Sequence, residues 1–320
     1  MKTFFIISVI SILFLLWYSY HRIQLMYNSS QLSFYTPNDK FPISDEIEYN
    51  RMVAHGMVIA KHKKVIIAGL LRDVESKIPE IRRKVERVGE MFRDYQVLLV
   101  ENDSKDQTRS LLNQWSRENP KVIILGCGYN VSECSITSAH EKTIPRDVSQ
   151  RRIEKMVRLR NIYLDEIKRS DADYVIVWDL DIIGNIYLDG IAYSLAYMKL
   201  QKDVSVMCAY GIYSIGSFSL YYDTYAYLKK GDQFHVDMKS IHDIRSVIEV
   251  SGLTRDRDPF EVDSCFSGFS IYRGDAIASP RVWYDMSTGD NVECEHTRLH
   301  RKIKGKKMIN PKMIYLVVEN

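Results

Sequence analysis

Asp179-Leu180-Asp181 is the sharpest chemical signal in this chain. It closes the apolar run Tyr174-Val175-Ile176-Val177-Trp178. A short β-branched run ended by acids at i and i+2 reads as a buried strand delivering carboxylates to its C-terminal edge. Open α/β sheets bind their ligands at that edge. Hard oxygen donors there suit Mn²⁺ or Mg²⁺, ions held by one or two carboxylates together with a substrate's phosphates. Taken alone, an Asp-x-Asp triplet is as often a solvated turn, so its surroundings must give it weight.

Four other polar stretches supply those surroundings. The run Glu101-Asn102-Asp103-Ser104-Lys105-Asp106-Gln107-Thr108 follows the apolar stretch Gln96–Val100. Short polar side chains can cap the next helix, but a cap needs one of them, and this loop presents several. Asn102 and Asp103 are candidates for reading a nucleotide's base and ribose. Arg158, Arg160 and Asn161 lie late in a helical stretch. Arg158 and Asn161, three apart, share a face while Arg160 points elsewhere, and guanidinium groups beside a diphosphate make bidentate contacts. Glu293-Cys294-Glu295-His296-Thr297-Arg298-Leu299-His300 sets His296 and His300 at i, i+4, where they can ligate a metal or supply a base if the segment is helical. It lacks the His-Glu-x-x-His order of zinc hydrolases. Before the strand-like Phe269–Arg273, the stretch Val262–Gly268 carries small polar residues, and Gly268 permits a close backbone approach.

The elements that must position these groups alternate. Val65–Leu71, Gln96–Val100, Val122–Leu125 and Tyr174–Trp178 read as strands. Ile78, Ile81, Val85, Val88 and Phe92 recur at helical spacing, and further helices are expected over about 106–118, 150–168 and 189–200. Val204–Ala209 and Met313–Val318 read as extended. Strands alternating with crossover helices imply an α/β fold with a mostly parallel sheet flanked by helices. Beyond about residue 210 the tyrosine-rich stretch Tyr221-Tyr222, Tyr225, Tyr227 gives no periodicity to assign.

With 320 residues, 46% hydrophobic and 27% charged, the chain can fill one large domain. Its net charge of +3 is too small for a nucleic-acid surface, and no dense basic run with interleaved aromatics occurs. Residues 3–20 are apolar or aromatic apart from Thr3, Ser8, Ser11 and Ser19, a length near the lower limit of about 17 residues for a membrane span. The segment ends Leu-Leu-Trp-Tyr-Ser-Tyr without the small residues of a cleavage site. It reads as a transmembrane signal anchor over residues 1–22, ahead of a polar stem at 23–62 and a domain at 63–320. That arrangement is a single-pass type II membrane protein with its domain facing the ER or Golgi lumen or an equivalent host or viral membrane. Asn28-Ser29-Ser30 and Asn130-Val131-Ser132 are glycosylation acceptor patterns. Of five cysteines, Cys127 and Cys134 are near enough to close a small loop, and Cys208, in an apolar run, reads as a buried free thiol.

Taken in order, these pieces resemble glycosyltransferases of the GT-A fold, in particular the fungal capsule-associated and mannan-polymerase α-mannosyltransferases. The likeness rests on five pieces spread over residues 64–305. They are Leu98–Ser104 with Asp106 and Thr108, Leu159-Arg160-Asn161, the strand into Asp179-Leu180-Asp181, Cys265–Gly268 with Tyr272-Arg273, and Cys294-Glu295-His296. Where that family tends to have a Gly-Gly pair, this chain has Ser267-Gly268, a departure on the acceptor side. The resemblance implies metal-dependent transfer of a hexose, mannose at family level, from a GDP- or UDP-sugar to a glycan or glycoprotein. It implies Asp103 near the base or ribose, with Arg160 and Asn161 supporting the donor pocket. Asp179 and Asp181 would hold the metal, with His296, ahead of His300, completing it. Glu295 would contact the acceptor hydroxyl, as base in an inverting reaction or as a positioning group in a retaining one.

Two rivals differ in class. Phosphatases of the haloacid-dehalogenase type also end a strand in Asp-x-Asp, but with Thr or Val two residues on, where this chain has Ile183, and on a first strand. A membrane-tethered glycan-binding protein without catalysis would use the same acids and histidines for structure or Ca²⁺.

Overall fold

The computed structural model describes residues 34–130, 150–215, 218–232, 254–286 and 292–318. Helix α1 (Glu46–Ala60) precedes strand β1 (Lys64–Leu71), and a 3₁₀ turn (Glu75–Lys77) leads into α2 (Ile78–Gly89). There follow β2 (Asp94–Glu101), α3 (Thr108–Glu118), β3 (Val122–Gly126), α4 (Gln150–Lys168), β4 (Tyr174–Trp178), β5 (Ile183–Ile186) and α5 (Leu188–Leu200). The second half holds β6 (Val204–Ile215), β7 (Phe218–Tyr221), β8 (Leu228–Lys229), β9 (Phe260–Ser264) and β10 (Phe269–Arg273). The helices α6 (Gly274–Ile277) and α7 (Glu295–Lys302) and strand β11 (Lys306–Val318) complete the chain.

One sheet runs β3-β2-β1-β4-β10-β6-β11-β9-β8, with β5 on β11 and β7 on β6. Its first four strands are parallel, as strands joined by crossover helices must be. The remainder corrects the expectation of a mostly parallel sheet. There β10 runs antiparallel to β4 and β6, and only β6 and β11 pair in parallel. The sheet is therefore mixed: only residues 265–268 separate β9 from β10, so β10 keeps the direction of β9 and meets β4 antiparallel. The order matters for function. The chain leaves β1 towards β2 on one side and returns to β4 on the other, so a crevice opens outside the carboxyl ends of β1 and β4.

The sheet has a core on each face. Strand residues alternate between them: Tyr174, Ile176 and Trp178 pack with α1, α2, α3 and α5, while Val175 and Val177 pack with α4 and α7. The same parity turns Asp179 towards α4 and sends Leu180 into the opposite core.

The segment expected as a stem is partly folded domain. Asp45 accepts the Glu48 N–H and caps α1, whose stripe Tyr49, Met52, Val53, Gly56, Ile59 and Ala60 is buried. A Cβ at Gly56 would run into the Ala192 carbonyl oxygen on α5. Two members of this stripe, Gly56 and Ala60, carry little apolar surface of their own and become buried anchors only against a partner helix. Ahead of α1, the Thr36 N–H and hydroxyl donate to the buried Asp189 at 2.8 and 2.9 Å. The membrane-anchor reading concerns residues 1–22, outside the described residues. Among the described residues no helix is long and apolar enough to cross a membrane.

Cys208 is not a free thiol. It is disulfide-bonded to Cys265, joining β6 to the turn before β10. Apolar surroundings marked it as buried but could not reveal a partner 57 residues away. Cys127 is also disulfide-bonded, and Cys294 is a buried free cysteine.

Candidate active site

Helix α4 supplies the residue that organises the site. Its buried face is Ile153, Val157, Arg160, Leu164 and Ile167, so Arg160 occupies a core position in an otherwise apolar stripe. Such a charge survives only with partners. Arg160 Nε donates to Glu295 Oε1 at 2.9 Å, Nη2 to Asp179 Oδ1 at 3.2 Å, and Nη1 to the Tyr163 hydroxyl at 3.3 Å. The guanidinium also lies 5.3 Å from the centre of the Phe266 ring. One cation thus links the end of β4 to the start of α7.

Around it the acids outnumber the cation. Burial, reinforced by the charge of Asp181, lifts Asp179 to about 6 although Arg160 pulls the other way. Asp223, on the loop after β7, is pushed up to about 8 by burial and by the charges of Asp179 and Glu295. Asp181 is exposed at the rim, and Lys77 Nζ holds its backbone carbonyl at 2.6 Å.

Every non-glycine residue with a positive φ among the described residues stands at this rim: Asp73, Asp103, Asp223 and Ser267. Left-handed backbone at such residues costs about 1–3 kcal/mol each and clusters at functional sites. Ser267 and Gly268 are both left-handed, at φ 56° and 75°, and the Gly268 carbonyl accepts the Asp179 N–H at 2.8 Å. A Cβ at Gly268 would lie 2.8 Å from the Tyr315 ring. Ser267, which stands where the resemblance gave glycine, donates its N–H to Asp223 Oδ2 and its hydroxyl to the Tyr222 carbonyl, each at 3.3 Å.

His296 and His300 share a helix but not a situation. His300 is tied on both sides, Nδ1 to the Ser264 hydroxyl at 3.2 Å and Nε2 to the Tyr272 hydroxyl at 3.0 Å, so it is a satisfied core residue. His296 stacks on Phe266 at 3.7 Å. Both of its ring nitrogens are buried and have no hydrogen-bond partner among the described residues, Nε2 lying 3.8 Å from Glu295 Oε1. Burial and the Arg160 charge hold it neutral, well below the usual imidazole range, the form that ligates metals.

The other expected site residues fall in different places. Asn102 is buried and Asp103 half-buried at the end of β2, with 3.4 Å between Asn102 Nδ2 and Asp103 Oδ2. Their neighbours serve structure: Glu101 accepts from Ser104 and Arg109, Asp106 from Glu75 and Thr108. Arg158 is exposed and pairs with Glu154, a solvent-face pair far from the role its charge invited. Asn161 bonds both ways to the Tyr284 backbone, at 2.9 and 3.1 Å, which fixes that loop rather than offering an amide to a ligand. Glu295 lies beside Asp179 through Arg160, with its second oxygen accepting from Cys294 Sγ at 3.7 Å. Helix α4 and helix α7 meet at the end of β4, a proximity that sequence distance concealed. Asp223 was missed altogether, in the tyrosine-rich stretch where no periodicity exists.

Among the described residues, no group of three His, Cys, Asp or Glu side chains is arranged to hold a metal ion, so Asp179, Asp181 and His296 are not a preformed cage. The donor set nonetheless fits a divalent ion completed by substrate oxygens. Asp179 and Glu295 share the Arg160 guanidinium, Asp181 is exposed, and neither His296 nitrogen has a hydrogen-bond partner among the described residues.

Residues 64–304 match the family model described as Cryptococcal mannosyltransferase 1. No curated protein matches the sequence. Among solved structures, S. aureus TarS 1-349 in complex with UDP-GlcNAc is similar at 12% identity and a TM-score of 0.44, covering 80% of this chain and 59% of that one. Mannosyltransferase PcManGT from Pyrobaculum calidifontis, in complex with GDP-Man and Mn²⁺, is similar at 10% identity and a TM-score of 0.43, covering 84% and 65%. The chain spans less than two thirds of either solved chain.

Proposed function

The chain belongs to the cryptococcal mannosyltransferase 1 family and is a glycosyltransferase, and from that premise we propose that it transfers a hexose from a nucleotide-sugar donor to a glycan or glycoprotein with a divalent cation. The observation that carries the metal reading is the charge imbalance at the end of β4. Asp179 and Glu295 share the Arg160 guanidinium, the charge of Asp181 bears on Asp179, and Asp223 feels the charges of Asp179 and Glu295. Asp179 and Asp181 would hold Mn²⁺ or Mg²⁺, with His296, whose Nε2 lies 3.8 Å from Glu295 Oε1, the candidate nitrogen donor. Bound there, the ion would neutralise the charge that grows on a departing nucleoside diphosphate.

The protein's own groups have separable tasks. Asn102 and Asp103, at the end of β2, are the candidates for the nucleoside. Arg160 holds the Asp179 carboxylate in place and is itself oriented by Glu295, so Glu295 is a positioning residue in this reading. The turn Ser267-Gly268 fixes the backbone of Asp179 from the other side. Membership of a transferase family sets aside the phosphatase and non-catalytic readings. The acid pair also sits on the fourth strand of the chain, not the first.

The lumenal, membrane-anchored placement extends this proposal. The disulfide bonds at Cys208–Cys265 and Cys127 support an oxidising compartment. The decisive experiment is a thermal-shift panel of GDP, UDP and ADP, each with Mn²⁺ or with EDTA. Stabilisation by one nucleotide only with Mn²⁺ is expected and names the base. Equal stabilisation with EDTA would remove the metal from the proposal.

A further inference from the structure

Along one rim of the sheet, the site's parts follow strand order. Asn102 and Asp103 end β2, Arg72 and Asp73 end β1, and Asp179 and Asp181 end β4. Next comes the Ser267-Gly268 turn at the start of β10, because β10 is antiparallel and begins where β4 finishes. Beyond it lies β6, with its hairpin partner β7 and then Asp223. If the nucleoside occupies the β2 end and the diphosphate the β4 end, the transferred sugar points towards β10 and β6. The acceptor must then approach from the Asp223 side.

Asp223 is built into that position. Its backbone is left-handed at φ 66°. Its carboxylate takes the Ala226 N–H through Oδ1 and the Ser267 N–H through Oδ2, both at 3.3 Å. Ser267 grips the same loop through the Tyr222 carbonyl, and Tyr222 donates its N–H to the Gly211 carbonyl at 3.0 Å. These bonds to backbone N–H groups occupy one lone pair on each oxygen and leave others open. Glu295, by contrast, is buried and has its first oxygen on Arg160.

We propose that Asp223 is the acceptor-side catalytic carboxylate of this enzyme, accepting a hydrogen bond from the attacking sugar hydroxyl and aligning it on the donor. This rests on the sugar-transfer reading above. The Ser267 hydroxyl, present where a glycine was expected, sets the loop that carries it. A carboxylate so placed aligns the acceptor oxygen, and misalignment of about 1 Å can cost about 10²-fold in rate.

The test uses the full chain with Mn²⁺, a panel of GDP- and UDP-sugars, and methyl α-mannoside as acceptor probe. It is run at about pH 8.5, where the Asp223 carboxyl, raised to about 8 by burial and by the charges of Asp179 and Glu295, is mostly ionised. Asp223→Asn keeps the side-chain shape and a residue type that tolerates left-handed backbone. Transfer to the probe should fall about 100-fold, while hydrolysis of the donor by water falls less than about fivefold, since water needs no docking. Mn²⁺-dependent nucleotide binding should stay within twofold, roughly the scatter expected when no ground-state contact is lost. Thermal melting checks folding, and Asp223→Ala rescued by sodium formate separates a lost carboxylate from a disturbed loop. Transfer within about threefold of wild type, equal loss of hydrolysis and transfer, or loss of nucleotide binding would each overturn the assignment and leave the sugar-transfer reading intact. Absence of turnover by the wild-type chain from every donor in the panel would sink that reading and this inference together.

Discussion

Arg160 sets Nη2 3.2 Å from Oδ1 of Asp179, and this contact joins a helix core position to the acid motif at the end of β4. The guanidinium and Glu295 are almost wholly enclosed, with 6% of each side chain exposed. Removing one partner of such a pair strands the others, at about 3–5 kcal/mol. Arg160→Met is therefore expected to lower the urea midpoint by an amount equivalent to several kcal/mol. Arg160→Lys, a point charge that cannot bridge two carboxylates, should fall between it and wild type. An unchanged midpoint in Arg160→Met would show that the network carries no net stability.

Asp181 should separate binding from folding. Its side chain is exposed and its backbone is held independently by Lys77. Asp181→Asn should melt like wild type without metal. A ligand at 100 times its Kd stabilises by about 2.7 kcal/mol, and that gain from GDP or UDP with Mn²⁺ should largely vanish in the variant. Full retention of the shift would remove Asp181 from the metal set.

The buried acids give a pH signature in EDTA. Asp223 is raised to about 8 in the fold from about 3.9 unfolded, so the native state binds the extra proton between those values. The stability this group contributes is complete below about 3.9, declines as pH rises, and is lost above about 8. Asp223→Asn lacks that slope. The melting temperature of the variant minus that of wild type should therefore climb from pH 4 to pH 8 and then level, to be read by calorimetry. A flat difference would mean that Asp223 ionises as freely in the fold as outside it.

The Cys208–Cys265 bond closes a loop of 57 residues. Chain entropy assigns such a cross-link about 4 kcal/mol. The double variant Cys208→Ala, Cys265→Ala should lose stability of that order in urea unfolding. It should also loosen the Ser267-Gly268 turn, seen as weaker Mn²⁺-dependent nucleotide binding. A loss below about 1 kcal/mol, outside the usual range for native disulfides, would assign the bond no structural role.

Helix α1 should be indispensable. Tyr49 stacks on Tyr193 at 5.4 Å, and α1 covers α5 along its buried stripe. A chain beginning at residue 34 should be soluble and melt cooperatively, whereas one beginning at Met57 exposes the α5 face and should aggregate. Equal solubility and melting of the two would return residues 34–56 to the stem.

Local patterning carried much of the architecture. From Lys64 to residue 200 the alternation of strands and helices, β5 apart, follows from hydrophobic periodicity, a property of neighbours in the chain. The end of β4 as the chemical centre follows from Asp179 and Asp181 closing a buried run. Four facts needed the tertiary structure, because each depends on segments far apart in sequence. The direction of β10 is set by its partners β4 and β6. Arg160 was legible as a charge in an apolar stripe, yet its partners Asp179 and Glu295 meet only when α4, β4 and α7 converge. The same convergence separates His296, bare against Phe266, from His300, bonded to Ser264 and Tyr272, although the two are one helical turn apart. Asp223 has no periodicity or motif around it, and it becomes part of a site only because the β6–β7 hairpin and the Ser267 turn hold it beside Asp179. Sequence specifies which groups can do chemistry, and only the packing of distant segments in low dielectric decides which of them share charge.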